Sequence, residues 1–300
     1  MTGLLEGCGA GLSGDRVSVR TLLKKKKRGE RIVMVTAYDT ITARLVDEAG
    51  VDVILVGDSL GMVVLGLPST LQVTMEDMVR HTAAVVRAGP RAMIVGDMPF
   101  MSYEHSVGEA VRNAGRLLAA GADAVKIEGG GSYSDVIKAM VRAGIPVMAH
   151  VGLTPQKHKL LGGYRLIGKT AEEALEVIRE AEGAQEAGAF AVVVEYTAWE
   201  VARKITERLE IPTICIGSGP YCDGQVLVIH DLLGLTPSPP PFAKQYASLA
   251  EEIRKAVSVY AREVREGVFP GEGYYWGMKS GERERLEKLL QRGGGGEDTQ

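Results

Sequence analysis

Ala120-Gly121-Ala122-Asp123-Ala124-Val125-Lys126-Ile127-Glu128 carries the pattern that decides the fold. A stretch with helical periodicity, Ser106–Ala120, runs into it, and a glycine there suits the left-handed residue that ends a helix. A short, largely apolar run follows and closes on a carboxylate. The Ala-Gly joint recurs at Ala49-Gly50, Ala88-Gly89, Ala143-Gly144 and Ala187-Gly188. The runs behind these joints read Val53–Val56, Ala92–Val95, Ala124–Ile127, Pro146–Ala149 and Ala191–Val194, and they are apolar without alternation. Continuous apolar character means burial on both faces, as in a parallel sheet covered by helices. Three more runs fit the cadence: Arg31–Val35, Thr213–Ile216 after Ile211-Pro212, and Val226–Ile229. Eight strands alternating with helices, with no obvious linker, favour an α/β (β/α)8 TIM barrel over an open doubly wound sheet.

This reading divides the chain into an N-terminal segment with a short helix (1–30), a catalytic barrel (31–265) and a C-terminal extension (266–300). The stretch after Phe242 reads as a last helix to about Arg265, and a flexible tail is expected from about residue 293, where Gly293–Gly296 leads into Glu297-Asp298-Thr299-Gln300.

With 300 residues, 45% hydrophobic and 24% charged, the chain can bury a sizeable core. A net charge of -3 creates no long-range field that would collect nucleic acid. The basic run Lys24–Arg28 lies in Val17–Arg31, where Leu22 and Leu23 suggest a short helix with a solvated charged face. Cys8, Cys215 and Cys222 are odd in number and lack CxxC spacing, which argues against a disulfide framework and a zinc site; Cys215 reads as a core residue. No apolar segment long enough for export or membrane spanning stands out, so a cytoplasmic protein is expected.

In such a barrel the chemistry gathers at the strand C-termini. Asp58-Ser59, Asp97, Lys126 with Glu128, His150 and Glu195 end five consecutive strands. Each has a plain alternative, since an Asp after a strand is often a helix N-cap and Asp97 precedes the turn residues Met98-Pro99. Convergence favours chemistry: three carboxylates at one mouth repel one another unless a cation sits among them. Lys126 and Glu128, two apart on a strand, leave on one face, toward the barrel interior, while Val125 and Ile127 face the helices. All-oxygen ligands suit magnesium or manganese better than zinc. His150 reads either as a hydrogen-bonded residue behind the ligands or as a substrate contact. Gly217-Ser218-Gly219 has the look of the phosphate cradles some barrels place after strand seven, and Gly129–Gly131 and Gly162-Gly163 read as flexible turns.

Several ordered motifs resemble the ketopantoate hydroxymethyltransferase family. They are Val35–Asp39, Leu55–Met62, His81–Val85, Asp97–Met101, Val125–Gly130, Gly152–Gln156, Gly162–Tyr164, Ile205–Glu207 and Asp223–Leu227. The resemblance implies a phosphoenolpyruvate/pyruvate-type metal barrel that transfers a hydroxymethyl group from 5,10-methylenetetrahydrofolate, or a related pterin, to 3-methyl-2-oxobutanoate. The product would be 2-dehydropantoate, on the route to pantothenate and coenzyme A. It implies one Mg2+ per subunit on Asp58, Asp97 and Glu128, oxo-acid contacts from Asp58, Ser59, Asp97 and Lys126, and Glu195 as the proton acceptor. It also implies a cytoplasmic homo-oligomer, a decamer built as a pentamer of dimers. Three other readings compete: Lys126 as a Schiff-base nucleophile, which the neighbouring carboxylates oppose by keeping it charged, a related metal-barrel lyase, and a non-enzymatic barrel that merely binds an oxo acid or serves as an assembly partner. The resemblance weakens after Phe269-Pro270-Gly271-Glu272, which continues here as Gly273-Tyr274-Tyr275-Trp276.

Overall fold

The computed structural model describes residues 16–160 and 162–293. Cys8 and the tail beyond residue 293 lie outside them. The chain divides after Ala247 into two compact units.

The first unit opens with helix α1 (Val19–Arg28) and then alternates β1 (Ile32–Thr36), α2 (Thr40–Glu48), β2 (Val53–Val56), α3 (Leu60–Val63), α4 (Met75–Val86), β3 (Met93–Asp97), α5 (Val107–Ala119) and β4 (Ala124–Glu128). It continues through α6 (Ser134–Arg142), β5 (Val147–Gly152), α7 (Ala171–Glu186), β6 (Ala191–Glu195), α8 (Trp199–Arg208), β7 (Thr213–Ile216), β8 (Gly224–Leu227) and α9 (Ile229–Leu232). The strands close in sequence order into a parallel barrel, with β8 returning to β1. The second unit holds α10 (Leu249–Arg265) and α11 (Glu282–Gly293), with Phe269 packed between the rings of Tyr260 and Tyr274.

The repeated Ala-Gly joint does what its sequence suggests. Gly50, Gly89, Gly121, Gly144 and Gly188 all take positive φ after a helix, where a Cβ would be strained. The period-2 geometry of the strands then sorts two cores. Ile32, Met34, Val53, Leu55, Met93, Val95, Ala124, Met148, Ala191, Val193, Ile214 and Val226 fill the inside of the barrel. Ile54, Val56, Ile94, Val125, Ile127, Val147, Val192 and Val194 join the helices in the outer core.

Five expectations need correction. The Lys24–Arg28 helix is not simply a solvated face: its Leu22 is wholly buried in the inner core with Val17. Lys25 pairs with Asp52 at 2.6 Å and Lys26 with Asp223 at 2.8 Å, so two of its lysines are partly buried anchors. Cys215 and Cys222, both fully buried, form a disulfide. No CxxC-like spacing signals it, because the pair meets only where β7 and β8 lie side by side. No helix joins those two strands; a loop spans Gly217–Asp223, and four-residue strands are short enough for so brief a return. Finally, β8 starts two residues earlier than the apolar run suggests, and Ile229 begins α9. Gly224 opens the strand because a Cβ there would stand 2.5 Å from the Ile32 carbonyl oxygen. The last helix likewise starts at Leu249 rather than soon after Phe242, since Tyr246 donates its backbone N–H to the Leu232 carbonyl before the helix can begin.

Truncating Leu22 tests whether α1 is part of the inner core. Leu22→Ala should lower unfolding stability by about 2–5 kcal/mol, the range for a buried leucine, with an unchanged denaturant slope. A loss under about 1 kcal/mol would mean that α1 is a loosely held surface element.

Candidate active site

The strand register dictates which charged residues meet. Asp97 is the Cα partner of Lys126 across β3 and β4, and Glu128 is the partner of His150 across β4 and β5. Asp97, Lys126, Glu128, His150 and Glu195 share the parity of the inward-facing residues, so all five look into the barrel mouth from its C-terminal end. Asp58 follows β2. It is not a helix cap, because the N-cap of α3 is Ser59 and no side-chain capping bond is made there.

At the centre, the Lys126 ammonium lies 2.6 and 2.7 Å from the two oxygens of Asp97, and the pair is almost wholly buried. The Asp58 backbone N–H also donates to Asp97 at 3.3 Å. Burial alone would depress Lys126, but the charges of Asp97, Asp58 and Glu128 hold it above its ordinary value, so it stays an ammonium. For the carboxylates the balance runs the other way. Burial, then repulsion from Asp97, raises Asp58 to about 7, and burial with the Asp58 charge pushes Glu128 well above the usual carboxylate range.

Gln156, to which the sequence reading gave no role, ties these groups together. Its side-chain amide donates to Asp58 Oδ2 at 2.9 Å and to the Met98 carbonyl at 3.0 Å, while its backbone N–H donates to Glu128 Oε2 at 2.8 Å. The Tyr103 hydroxyl lies 2.9 Å from Gln156 Oε1 and orients that amide. The only sequence signal was the Gly152–Gln156 motif; the residue arrives through the short 3-10 turn at Pro155–Lys157.

His150 sits between the two glutamates, with Nε2 3.2 Å from Glu195 Oε2 and Nδ1 3.7 Å from Glu128 Oε1. Burial and then the Lys126 charge hold its pKa below the ordinary value, so the ring is neutral near pH 7. Ser59 Oγ lies 2.8 Å from the Tyr38 hydroxyl.

Two of the glycine loops are braced by specific side chains, while a Cβ on Gly162 or Gly163 would meet nothing within 4 Å. Gly130 N–H and Ser132 N–H both donate to the Glu180 carboxylate on α7, and a Cβ on Gly130 would meet the Glu180 carbonyl at 2.1 Å. The loop after Glu128 is therefore clamped against α7. At Gly217–Gly219, Ser218 Oγ donates to the Val194 carbonyl and accepts from Thr197 N–H, and the side of Trp199 fills the space beside Gly219. These contacts brace the loop, whose Gly217 and Gly219 also border a groove with Arg31 and Gln225.

A cavity of about 430 Å³ opens onto the charged centre. Asp58, Ser59, Asp97, Lys126, Glu128, His150 and Glu195 line one part, and Tyr164, Tyr196, Pro240, Pro241 and Phe242 add an apolar wall. Every site residue expected from sequence borders this one cavity. Among the described residues, no three His, Cys, Asp or Glu side chains are drawn into a ready ligand shell; Asp97 is turned toward Lys126 and Asp58 toward Gln156.

Comparison with known proteins assigns the chain. The family model described as ketopantoate hydroxymethyltransferase matches residues 16–272. The chain belongs to the ketopantoate hydroxymethyltransferase family. The chain is 76% identical over 284 residues to the 3-methyl-2-oxobutanoate hydroxymethyltransferase of Hyperthermus butylicus, covering 95% of this chain and 99% of that one. It is 64% identical to the Ignicoccus hospitalis protein of the same name, over 87% of this chain and 99% of its relative. Among solved structures, phosphonopyruvate hydrolase aligns with a TM-score of 0.59 at 13% identity, over 92% of this chain and 97% of that one. A 2,3-dimethylmalate lyase of the PEP mutase/isocitrate lyase superfamily aligns with a TM-score of 0.56 at 18% identity, over 93% and 99%. These distant likenesses establish a shared barrel fold.

The raised Asp58 carboxyl sets a sign for pH dependence. Its folded value, about 7, exceeds its ordinary 3.8, so folding takes up a proton there. The stabilisation is complete below about pH 4 and is lost as pH rises through about 7. In the presence of chelator, the urea midpoint should fall between about pH 5 and about pH 8, and fall less in Asp58→Asn. Equal slopes in the two proteins would remove Asp58 from the stressed cluster.

Proposed function

We propose that this family member is a 3-methyl-2-oxobutanoate hydroxymethyltransferase that draws its one-carbon unit from 5,10-methylenetetrahydrofolate or a related reduced pterin and forms 2-dehydropantoate. The observation that carries the reading is a persistent buried ammonium, Lys126, facing the same cavity as the carboxylate of Glu195, in a chain of this family.

In this reading Lys126 and Ser59 bind the carboxylate of the oxo acid, with the Tyr38 hydroxyl orienting the Ser59 hydroxyl. Lys126 can do so because its neighbours keep it charged despite burial. Glu195 takes the proton from C3, and the adjacent neutral His150 imidazole steadies its carboxylate without competing as a cation. The apolar wall of Tyr196, Pro240, Pro241 and Phe242 keeps water from the carbanionic carbon. That carbon forms the new bond to the methylene carbon of the donor. One water supplies the hydroxyl oxygen, and the tetrahydropterin departs.

The donor set also fits a hard divalent cation, Mg2+ at one per subunit. Asp58, Asp97 and Glu128 are all-oxygen donors, and they crowd three acidic groups around a single ammonium, so two of them are pushed toward protonation. When bound, such an ion supplies Lewis-acid stabilisation of the charge developing on the keto oxygen. Family resemblance further supports a homo-oligomer, a decamer built as a pentamer of dimers, working in the cytoplasm; no helix among the described residues is long and apolar enough to cross a membrane.

The reading is tested by proton–deuterium exchange at C3 of 3-methyl-2-oxobutanoate, followed by NMR with Mg2+ or with chelator. Wild type with Mg2+ should exchange, and Glu195→Gln should slow exchange by about 10²–10⁴-fold, the usual worth of a general base. Exchange indifferent to both the metal and Glu195 would overturn the assignment.

A further inference from the structure

The groups that act on the oxo acid come from β2 to β6, yet the cavity extends across the barrel to the opposite side. Closure in sequence order sets β8 and β1 across from β4 and β5. On that far side the lining comprises Thr36, Val226, Val228, Asp231 and Thr236. A cavity of about 430 Å³ falls within the roughly 300–1,000 Å³ of sites that enclose ligands much larger than a branched oxo acid.

One residue there lacks an explanation. Asp231 is only 6% exposed, and its carboxylate takes part in no ion pair or side-chain hydrogen bond among the described residues. It does not cap α9, which begins without a side-chain capping bond. Neither the Tyr38 hydroxyl, which meets Ser59, nor His230, whose Nδ1 is buried without a partner, hydrogen-bonds its carboxylate. A buried carboxylate of this kind needs donors from elsewhere. Two hydroxyls on the cavity lining, Thr70 Oγ1 and Thr236 Oγ1, are also buried without a partner. The same cavity carries the apolar wall, where the rings of Tyr196 and Phe242 sit 5.2 Å apart.

We infer that Asp231, with Thr236 beside it, forms the subsite that reads the 2-amino-4-oxo edge of the pterin cosubstrate. The ring N3–H and the exocyclic amine offer two parallel donors to one carboxylate, and the Thr236 hydroxyl can donate to the carbonyl oxygen or ring nitrogen. The flat ring lies along the Tyr196, Phe242 and proline wall, which directs its methylene-bearing side toward Glu195. Folate and methanopterin donors share this edge, so the subsite recognises the shared ring rather than the tail. The inference rests on the pterin-dependent reading above.

The test compares wild type with Asp231→Asn and Thr236→Val in steady state, with 5,10-methylenetetrahydrofolate and with methylenetetrahydromethanopterin as separate donors. Asp231→Asn keeps shape but turns an acceptor into a donor facing the pterin amine. KM for the pterin should rise at least tenfold with both donors, while KM for the oxo acid shifts less than threefold. A rise with one donor alone would assign the residue to that donor's tail and overturn ring-edge recognition. Unchanged pterin KM, or equal rises for both substrates, would also overturn it. Should Asp231→Asn prove too slow for kinetics, equilibrium binding of tetrahydrofolate decides: retained affinity sinks the inference, and a tenfold loss supports it. Failure of the underlying reading looks different, since wild type would then turn over without any pterin.

Discussion

A single ammonium buried among three carboxylate side chains is the constraint from which the rest of the site follows. Lys126 lies within hydrogen-bonding distance of both oxygens of Asp97, and that pair faces Asp58 and Glu128 in a space almost closed to water. Breaking such a pair by removing one partner costs far more than the pair contributes, because the survivor is left charged and unpaired. The barrel bears this cost through its register. Asp97 and Lys126 are directly opposed on adjacent strands, so backbone hydrogen bonds hold the two charges together before their side chains make any adjustment.

The surrounding structure fixes the remaining acids. Gln156 binds one oxygen of Asp58 through its amide and one oxygen of Glu128 through its backbone, and Tyr103 orients the glutamine. Behind Glu128 the glycine loop is pinned to α7 by Glu180, in a packing that only residues without a Cβ permit. Each acid is therefore constrained from behind, leaving its other face to the cavity. Preorganisation of this kind lets electrostatic stabilisation act without rearrangement during the reaction.

Much of this arrangement was legible in the sequence because it depends on local periodicity. The Ala-Gly joints located helix ends, the apolar runs located buried parallel strands, and the spacing of Lys126 and Glu128 fixed their common inward direction. What escaped reading depends on contacts between distant segments. The Cys215–Cys222 bond ties β7 to the loop that returns to β8, a return no local signal announces. Lys25 and Lys26 meet Asp52 and Asp223 only once the barrel has closed beneath α1. Gln156 and Asp231 are reached through turns without a strand's alternation, so their directions could not be inferred from spacing. The glycine loops looked mobile by composition, yet Gly130 is among the most tightly packed positions, because a missing Cβ permits close approach as readily as freedom.

The closed barrel also explains how two chemistries can share one cavity without interfering. The residues that act on the oxo acid lie on consecutive strands from β2 to β6, where neighbouring registers couple their charges strongly. The β8 end lies across the ring from β4, while β1 pairs directly with β2 and Tyr38 after β1 meets Ser59 after β2. A carboxylate added to the first group would deepen the repulsion already raising Asp58 and Glu128. Placed after β8, the Asp231 charge does not figure among the main causes of either shift. Polar recognition of a second substrate is therefore least disruptive on the strands farthest from the buried ammonium. In a ring of eight parallel strands, that position is the one diametrically across from it.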